Sequence, residues 1–274
     1  MALLKFEPFL NVGANQRAIL DSKVLLGNTL KKVFLELGGT TFTKAQIDLI
    51  KVKLNQKTVI EVTGSQLDAI NKYLGVSDTA TFLTIPFDDI TDALPGQVGE
   101  DIGALDTSLG VNSFVIEVDI GGATAPTLSA FFEAVPPLPR TGPLAQTTPA
   151  IRSLITSTLT PNTAAEHTLD ANIGQSASAL LARLFIFHSN LTAFELKKNN
   201  VPIFEEMTIA QNEFVQKEHG RVPQSGLYVY DPIASGDASK MVRTVGAVFQ
   251  QLYTVSASDT LTVVADIRAA LAQL

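Results

Sequence analysis

The stretch that decides the fold is Leu105–Ile120, which reads LDTSLGVNSFVIEVDI. Apolar side chains occupy every second position at its end, namely Phe114, Ile116, Val118 and Ile120. The residues between them are Val115, Glu117 and Asp119. Since successive side chains of a β-strand point to opposite faces, this alternation predicts a strand with one face in a core.

A similar stretch returns near the C-terminus as Leu252–Ile267, LYTVSASDTLTVVADI. Four residues of the first stretch recur there in the same order and at one constant offset: Leu105, Thr107, Asp119 and Ile120. The echo predicts an internal repeat, and the order of the elements upstream of each stretch supports it.

In the first half, alternation over Ile50–Leu54, a turn at Asn55-Gln56 and a return strand over Val59–Val62 predict a β-hairpin. A short helix follows, with Ser65 as its predicted N-cap and Gly75 as its stop. A strand over 81–87 and an acidic loop over 88–101 then lead into the stretch that decides the fold. Upstream, residues 1–40 predict two extended segments, over 6–12 and 24–37.

The second half predicts the same order. A strand over Leu184–Phe187, a turn at Ser189-Asn190 and a return over Leu191–Leu196 suggest a second hairpin. Thr208 and Gln211 fit the capping box of a helix that ends before Gly220. Strands over 227–230 and 261–267 complete the half. Glu61 matches Glu195 at a smaller offset than the one between Leu105 and Leu252, so the second half is predicted to carry an insertion around its helix.

Two tandem β-sandwiches, each with a short inserted helix, are therefore the predicted architecture. Six of the 13 prolines fall between 136 and 161. Because proline cannot donate to a sheet ladder, we expect a linker there and place the boundary near Pro139. The predicted domains are residues 1–138 and 139–274. The apolar start, MALLKFEPFL, fits either an edge strand that packs on its own domain or an arm that contacts a neighbouring subunit or a membrane.

Composition excludes several classes of function. The 274 residues are 46% hydrophobic and 17% charged, which indicates a globular chain. The formal net charge of −7 argues against a surface dedicated to nucleic acid. Cysteine is absent, so the sequence offers no disulfide and no thiolate metal site. We find no secretory signal pattern and no apolar run of transmembrane length, and we expect synthesis in a cytosol.

Catalytic motifs are missing from the sequence. There is no phosphate-binding loop, no dinucleotide fingerprint, no HExxH and no GxSxG, and the three histidines lack metal-ligand spacing. The best candidate for a site is the acidic loop that begins with Asp88, Asp89 and Asp92. These three carboxylates could hold Ca²⁺, which prefers oxygen ligands, although a solvated loop is the simpler interpretation.

Several segments resemble one family. KVKLNQKTVIEVTGSQLDAINKY at 51–73, GALDTSLGVNSFVIEVDI at 103–120 and PTLSA at 126–130 are similar to the major capsid proteins of tailless, internal-membrane icosahedral bacteriophages of the corticovirus kind. The C-terminal half resembles the family mainly in the order of its elements, which include a helix that ends in EHG at 218–220. The resemblance implies an all-β double jelly roll. It implies a homotrimer that forms a pseudo-hexameric capsomer, and capsomers that tile an icosahedral shell over an internal lipid membrane.

The resemblance also implies the partners. We expect the chain to contact itself, neighbouring capsomers, a penton or vertex protein, and viral membrane proteins or lipid on the inner side, without direct nucleic-acid contact. It would be made in the host cytoplasm and located in the virion capsid. Loops over 88–104, 197–225 and 231–250 are the expected contact regions.

Two other classes of function stay open. A tandem β-sandwich carbohydrate-binding or adhesin-type module would need exposed aromatic platforms, yet Trp is absent and Tyr numbers only 4. An enzyme on a β-sandwich would need clustered acids or histidines, which the sequence does not single out. We therefore predict a structural, non-enzymatic capsid protein without a cofactor, except for the possible Ca²⁺.

Overall fold

The chain forms two compact units in a computed structural model, which describes residues 2–88 except 24, 26, 77 and 78, residues 103–137 except 109, and residues 151–274 except 176 and 247. Unit 1 comprises Met1–Lys72, Val76–Leu154 and Arg268–Leu274. Unit 2 comprises Tyr73–Gly75 and Ile155–Ile267. The predicted boundary near Pro139 lies outside the described residues, so the domain limits 1–138 and 139–274 stay a prediction.

Strands dominate both units. The strands up to the proline-rich segment are β1 (Ala2–Lys5), β2 (Arg17–Ser22), β3 (Thr29–Gly38), β4 (Ile47–Leu54), β5 (Lys57–Val62), β6 (Phe82–Pro86), β7 (Leu105–Asp106), β8 (Phe114–Ile120) and β9 (Thr127–Val135), with helix α1 (Gly64–Tyr73) between β5 and β6. The later strands are β10 (Ile151–Leu159), β11 (Ala165–Thr168), β12 (Leu180–Phe187), β13 (Leu191–Lys198), β14 (Val201–Thr208), β15 (Leu227–Tyr230), β16 (Val242–Arg243), β17 (Phe249–Val255) and β18 (Leu261–Ala269), with helix α2 (Ile209–Glu218) between β14 and β15.

Strand pairing follows the same rule in both units. Leaving aside the very short strands β7 and β16, each unit has eight strands in chain order among the described residues. One sheet joins strands one, eight, three and six, as β1-β9-β3-β6 and as β10-β18-β12-β15. The other joins strands two, seven, four and five, as β2-β8-β4-β5 and as β11-β17-β13-β14. This is the pairing of an eight-stranded jelly roll, so the predicted double jelly roll with a helix in each half is confirmed.

The strand over 114–120 has the predicted two faces. Phe114, Ile116, Val118 and Ile120 of β8 are buried. On the other face, Glu117 pairs with Lys53 and Asp119 pairs with Arg17 across the neighbouring strands. The aromatic core of unit 1 surrounds the buried face: the ring of Phe6 lies 5.9 Å from that of Phe114 and 4.3 Å from that of Phe132. In the core of unit 2, the rings of Phe194 and Tyr253 are 5.0 Å apart.

The first hairpin is confirmed and the second is wrong. Asn55 and Gln56 have φ of 48° and 69°, as a two-residue hairpin turn between twisted strands requires. At Ser189-Asn190 the chain instead crosses from one sheet to the other, and the backbone N–H groups of both residues donate to Asp259. The hairpin of unit 2 is β13–β14, and its turn is Asn199-Asn200, with φ of 52° and 64°.

The two sequence similarities behind the predicted repeat align strands that are not equivalent. By their order in the jelly rolls, β8 corresponds to β17 and β9 corresponds to β18. The echo between Leu105–Ile120 and Leu252–Ile267 had instead equated β8 with β18. The echo between Glu61 and Glu195 had equated β5 with β13, although β5 corresponds to β14.

The predicted insertion around α2 is therefore wrong. From the hairpin turn through the helix to the sixth strand, the two units keep the same spacing to within one position, as three equivalent pairs show: Asn55 and Asn199, Gly64 and Ile209, and Phe82 and Leu227. The units differ instead after the sixth strand. There the connection from β6 to β8 in unit 1 is longer than the one from β15 to β17 in unit 2.

The start of the chain is an edge strand, as one of the two interpretations predicted. Strand β1 pairs antiparallel with β9, although all of its side chains are exposed. Two predictions for the segment 1–40 are corrected. Strand β2 was not predicted, and the segment 6–12 forms only an isolated bridge, between Leu10 and Ile19.

Among the described residues, no helix has the length and hydrophobicity needed to cross a lipid bilayer.

The buried face of β8 is the most sensitive part of unit 1. We expect Phe114→Ala to lower the free energy of unfolding by about 3–5 kcal/mol, because a buried aromatic ring leaves a cavity when it is removed. The matched control is Val115→Ala on the outer face of the same strand, which should cost less than about 1 kcal/mol. Urea unfolding followed by circular dichroism measures both. Equal losses would contradict the assignment of the two faces.

Candidate assembly face and ion-binding residues

Equivalent capping boxes begin the two helices. The backbone N–H of Gln66 donates to the hydroxyl of Thr63, and the amide oxygen of Gln66 accepts from the N–H of Thr63. Thr208 and Gln211 form the same reciprocal pair, which confirms the predicted box of α2. The N-cap of α1 is therefore Thr63, and the prediction of Ser65 is wrong. Each box begins at the residue before its helix and satisfies backbone donors that the first turn leaves open.

Each helix also donates a side-chain hydrogen bond to the edge strand that follows it. In unit 1, the side-chain amide of Asn71 donates to the carbonyl oxygen of Thr84 in β6 at 2.7 Å. In unit 2, Gln216 donates to the carbonyl of Val229 in β15 at 2.9 Å. The two donors occupy the same position of their helices, and the two acceptors occupy the same position of their strands, so this is one hydrogen bond made twice. It satisfies one backbone carbonyl of the strand that lies at a sheet edge in each unit.

The two helices differ in what they bury. In α1 the buried side chains include Leu67 and Ile70. The equivalent residues of α2 are Asn212 and Val215, of which Asn212 is buried and donates to Val229 at 2.8 Å. Helix α2 thus turns two amides inward. Two of its apolar residues face outward, since Phe214 is 64% exposed and Val215 is 42% exposed.

We call the outward surface formed by Glu213, Phe214, Val215 and Glu218 the α2 face. Sequence reasoning placed it inside the expected contact segment 197–225 but did not identify it. A signal was present, because the inward positions 212 and 216 of the predicted helix carry amides while 214 and 215 are apolar. An apolar patch rimmed by charge on the surface of a folded protein typically marks an interaction site.

A pocket of about 480 Å³ lies beside the α2 face. Its lining is mostly apolar and comes from β14, α2 and the segment after β15: Ile203, Phe204, Met207, Asn212, Val215, Gln216, Tyr230, Asp231, Pro232, Ala234, Lys240 and Val242. Because Ile203 and Val215 belong to both the pocket and the exposed surface, the apolar patch continues from the helix onto the edge strand β14.

A buried ionic network underlies this region. Nε of Arg183 lies 3.0 Å from Oδ1 of Asp231, and its Nη1 lies 3.4 Å from Oδ2 of Asp266. Oδ2 of Asp231 lies 3.1 Å from Nε of Arg221 and accepts a hydrogen bond of 3.0 Å from the hydroxyl of Tyr73. Burial raises the pKa of Tyr73, so the hydroxyl stays a donor. Two buried carboxylates thus face two guanidinium groups, which fixes the segment after β15 without leaving a charge uncompensated.

The candidate calcium residues are only partly described. Asp88 is 4% exposed, and its Oδ1 has no hydrogen-bond partner among the described residues. Burial raises the pKa of this carboxyl to about 6, while Lys32, Lys31 and Arg152 oppose that shift. Three neighbouring cations disfavour a bound metal ion at Asp88 itself.

Asp89 and Asp92 lie outside the described residues. Within the described ranges, no three His, Asp or Glu side chains are placed to hold one metal ion. The calcium loop therefore stays a prediction. Of the other expected contact regions, most of 88–104 is also outside the described residues, whereas 231–250 includes exposed Val245 and Val248.

Comparison with known proteins assigns the family. Residues 3–134 match the viral coat protein P2 N-terminal domain, and residues 151–270 match the viral coat protein P2 C-terminal domain. The chain belongs to the viral coat protein P2 family. The resemblance to capsid proteins is thereby confirmed, and the carbohydrate-binding or adhesin alternative is not favoured. Among curated proteins, no sequence matches the chain.

Solved structures agree with the fold of this coat protein family. The major capsid protein P2 from bacteriophage PM2 has a TM-score of 0.86 at 17% identity, over 98% of this chain and 97% of that one. The STIV major capsid protein has a TM-score of 0.65 at 11% identity, over 98% and 96%. The PBCV-1 virus capsid has 0.62 at 11% identity, over 99% and 95%. At these identities the likeness concerns the double jelly roll itself.

Asp88 makes the stability of this coat protein depend on pH. Its pKa is higher in the folded state than the ordinary 3.8, so its contribution is present below about pH 4 and is lost as the pH rises through about 6. We expect Asp88→Asn to stabilise the protein at pH 7.5 by up to about 3 kcal/mol, and to have no such effect at pH 4. Urea unfolding at both pH values measures the difference.

Asp21→Asn, at an exposed position on β2, is the matched control and should change little at either pH. Loss of stability in Asp88→Asn at pH 7.5 would contradict the effect of burial. If that loss appears only when CaCl₂ is present, Asp88 is a calcium ligand.

Proposed function

We propose that the chain is a major capsid protein that associates into homotrimers, each a capsomer with six similar lobes. The single observation that carries this proposal is the duplicated jelly roll. Both units repeat the same strand pairing, the same helix position and the same amide-to-carbonyl hydrogen bond. Three copies of a chain with two similar units give six similar units around one axis.

The kind of contact that such a chain can make is compatible with a closed trimer. If one unit of a copy contacts the other unit of the next copy, the interface is heterologous. Heterologous contacts close into a ring when the rotation between copies divides the circle evenly. With two similar units in each copy, three copies approximate sixfold symmetry and can pack in a hexagonal layer.

The larger assembly that we propose is an icosahedral shell over an internal lipid membrane. Capsomers would contact one another, a penton or vertex protein, and membrane proteins or lipid on the inner side. The net charge of −7 supports a shell that does not bind the genome directly, because contact with nucleic acid requires clustered cations. On this proposal the chain is made in the host cytoplasm, resides in the virion capsid and has no enzymatic activity.

The mass of the purified protein in solution tests the trimer. We expect light scattering after gel filtration to give three times the chain mass of 29.3 kDa. Because a closed ring must lose two contacts to release one copy, the mass should persist on dilution. Loading at two concentrations that differ about a hundredfold controls for weak, concentration-driven association. A monomer at both concentrations would overturn the proposal.

A further inference from the structure

We propose that the α2 face is the surface by which one copy of the chain binds a second copy, and that it contacts the exposed edge strand β1 of that copy. This inference rests on the proposed trimer and names the two surfaces that form it. Its starting point is the difference between two helices that occupy the same place in the two units.

Helix α1 shows what this position looks like when it is covered. Ile70 is fully buried, whereas its equivalent Val215 is 42% exposed. Tyr73 is also fully buried, with its ring 5.9 Å from that of Phe185, whereas its equivalent is the exposed Glu218. The same helix position is thus buried in α1 and open in α2. In a ring of similar units, the open position is enclosed by the next copy.

The sequence of α2 fits an interface better than a surface exposed to water. Inward-facing Asn212 and Gln216 give the helix hydrogen bonds but little apolar burial. In a single chain, the exposure of Phe214 and Val215 to solvent contributes nothing to stability. Burying these side chains against another molecule would stabilise that complex in proportion to the apolar area removed from water.

Charge complementarity indicates which surface of the second copy meets the α2 face. The α2 face carries Glu213 and Glu218, and the neighbouring cation on the same helix, Lys217, already pairs with Glu213 at 3.4 Å. Strand β1 offers the opposite combination, since Leu3 is 59% exposed, Leu4 is 38% exposed and Lys5 is exposed beside them. An apolar, acidic helix therefore meets an apolar, basic strand. Such local complementarity favours the association of two chains that each carry a net charge of −7.

The two surfaces belong to different units, which agrees with a ring. The α2 face is part of unit 2 and β1 is part of unit 1. A contact from unit 2 of one copy to unit 1 of the next is heterologous and alternates the units around the axis. The proposal therefore accounts for the exposure of both surfaces with one kind of contact.

Substitution at Phe214 tests the α2 face. We expect Phe214→Ser to weaken the trimer at least about tenfold, measured as the concentration at which light scattering shows half-dissociation. The matched control is Leu10→Ser, a similarly exposed apolar position that lies outside the α2 face, outside β1 and outside the expected contact regions. The control should keep the wild-type mass. Both variants should keep the wild-type circular dichroism spectrum, because neither side chain is buried within its own chain.

A charge exchange tests the pairing with β1. Lys5→Glu and Glu218→Lys should each weaken the trimer, and the two together should restore association relative to either alone. If the double variant is no better than the worse single variant, the pairing with β1 is wrong. If Phe214→Ser forms a trimer as stable to dilution as the wild type, the α2 face is not the interface and the capsomer proposal still stands. A monomeric wild type would overturn both.

Discussion

One hydrogen bond, made twice, organises the side of each jelly roll where the fifth and sixth strands meet. The sixth strand is at the edge of its sheet in both units, and an uncovered edge presents unpaired backbone groups. A short helix lies against it, and an amide side chain reaches the strand carbonyl: Asn71 to Thr84, and Gln216 to Val229. This contact requires a polar residue on the inward side of each helix.

The two helices meet that requirement with different surroundings. Around Asn71, the inward residues Leu67 and Ile70 are apolar and the helix packs as an ordinary core element. Around Gln216, a second amide replaces Leu67 and the apolar side chains turn outward. Below α2, Arg183, Arg221, Asp231 and Asp266 balance one another in a buried network. Unit 2 thus holds its helix by polar contacts and keeps an apolar surface available for association.

The sequence predicted elements better than it predicted their correspondence. Strand β8, the Asn55-Gln56 turn and the Thr208 capping box depend on neighbouring residues, so local patterns were sufficient. The assignment of Ser65 as N-cap is wrong because Thr63 forms a reciprocal capping box with Gln66, three positions later. The false hairpin at Ser189-Asn190 arose because a sheet-to-sheet crossing and a hairpin turn use the same residue types. The sequence echoes failed since a few identities cannot distinguish the seventh strand from the eighth. The α2 face depends on which side of a helix is buried, and the packing decides that.

The proposed capsomer consists of three chains that close into a ring, each with two similar jelly rolls. Single-particle electron microscopy of the purified protein tests this most directly, since it shows the arrangement and not only the mass. We expect closed particles with six similar lobes around a threefold axis, and with α2 buried between copies. Two-lobed single chains, open strings of lobes, or rings in which α2 faces solvent would contradict it.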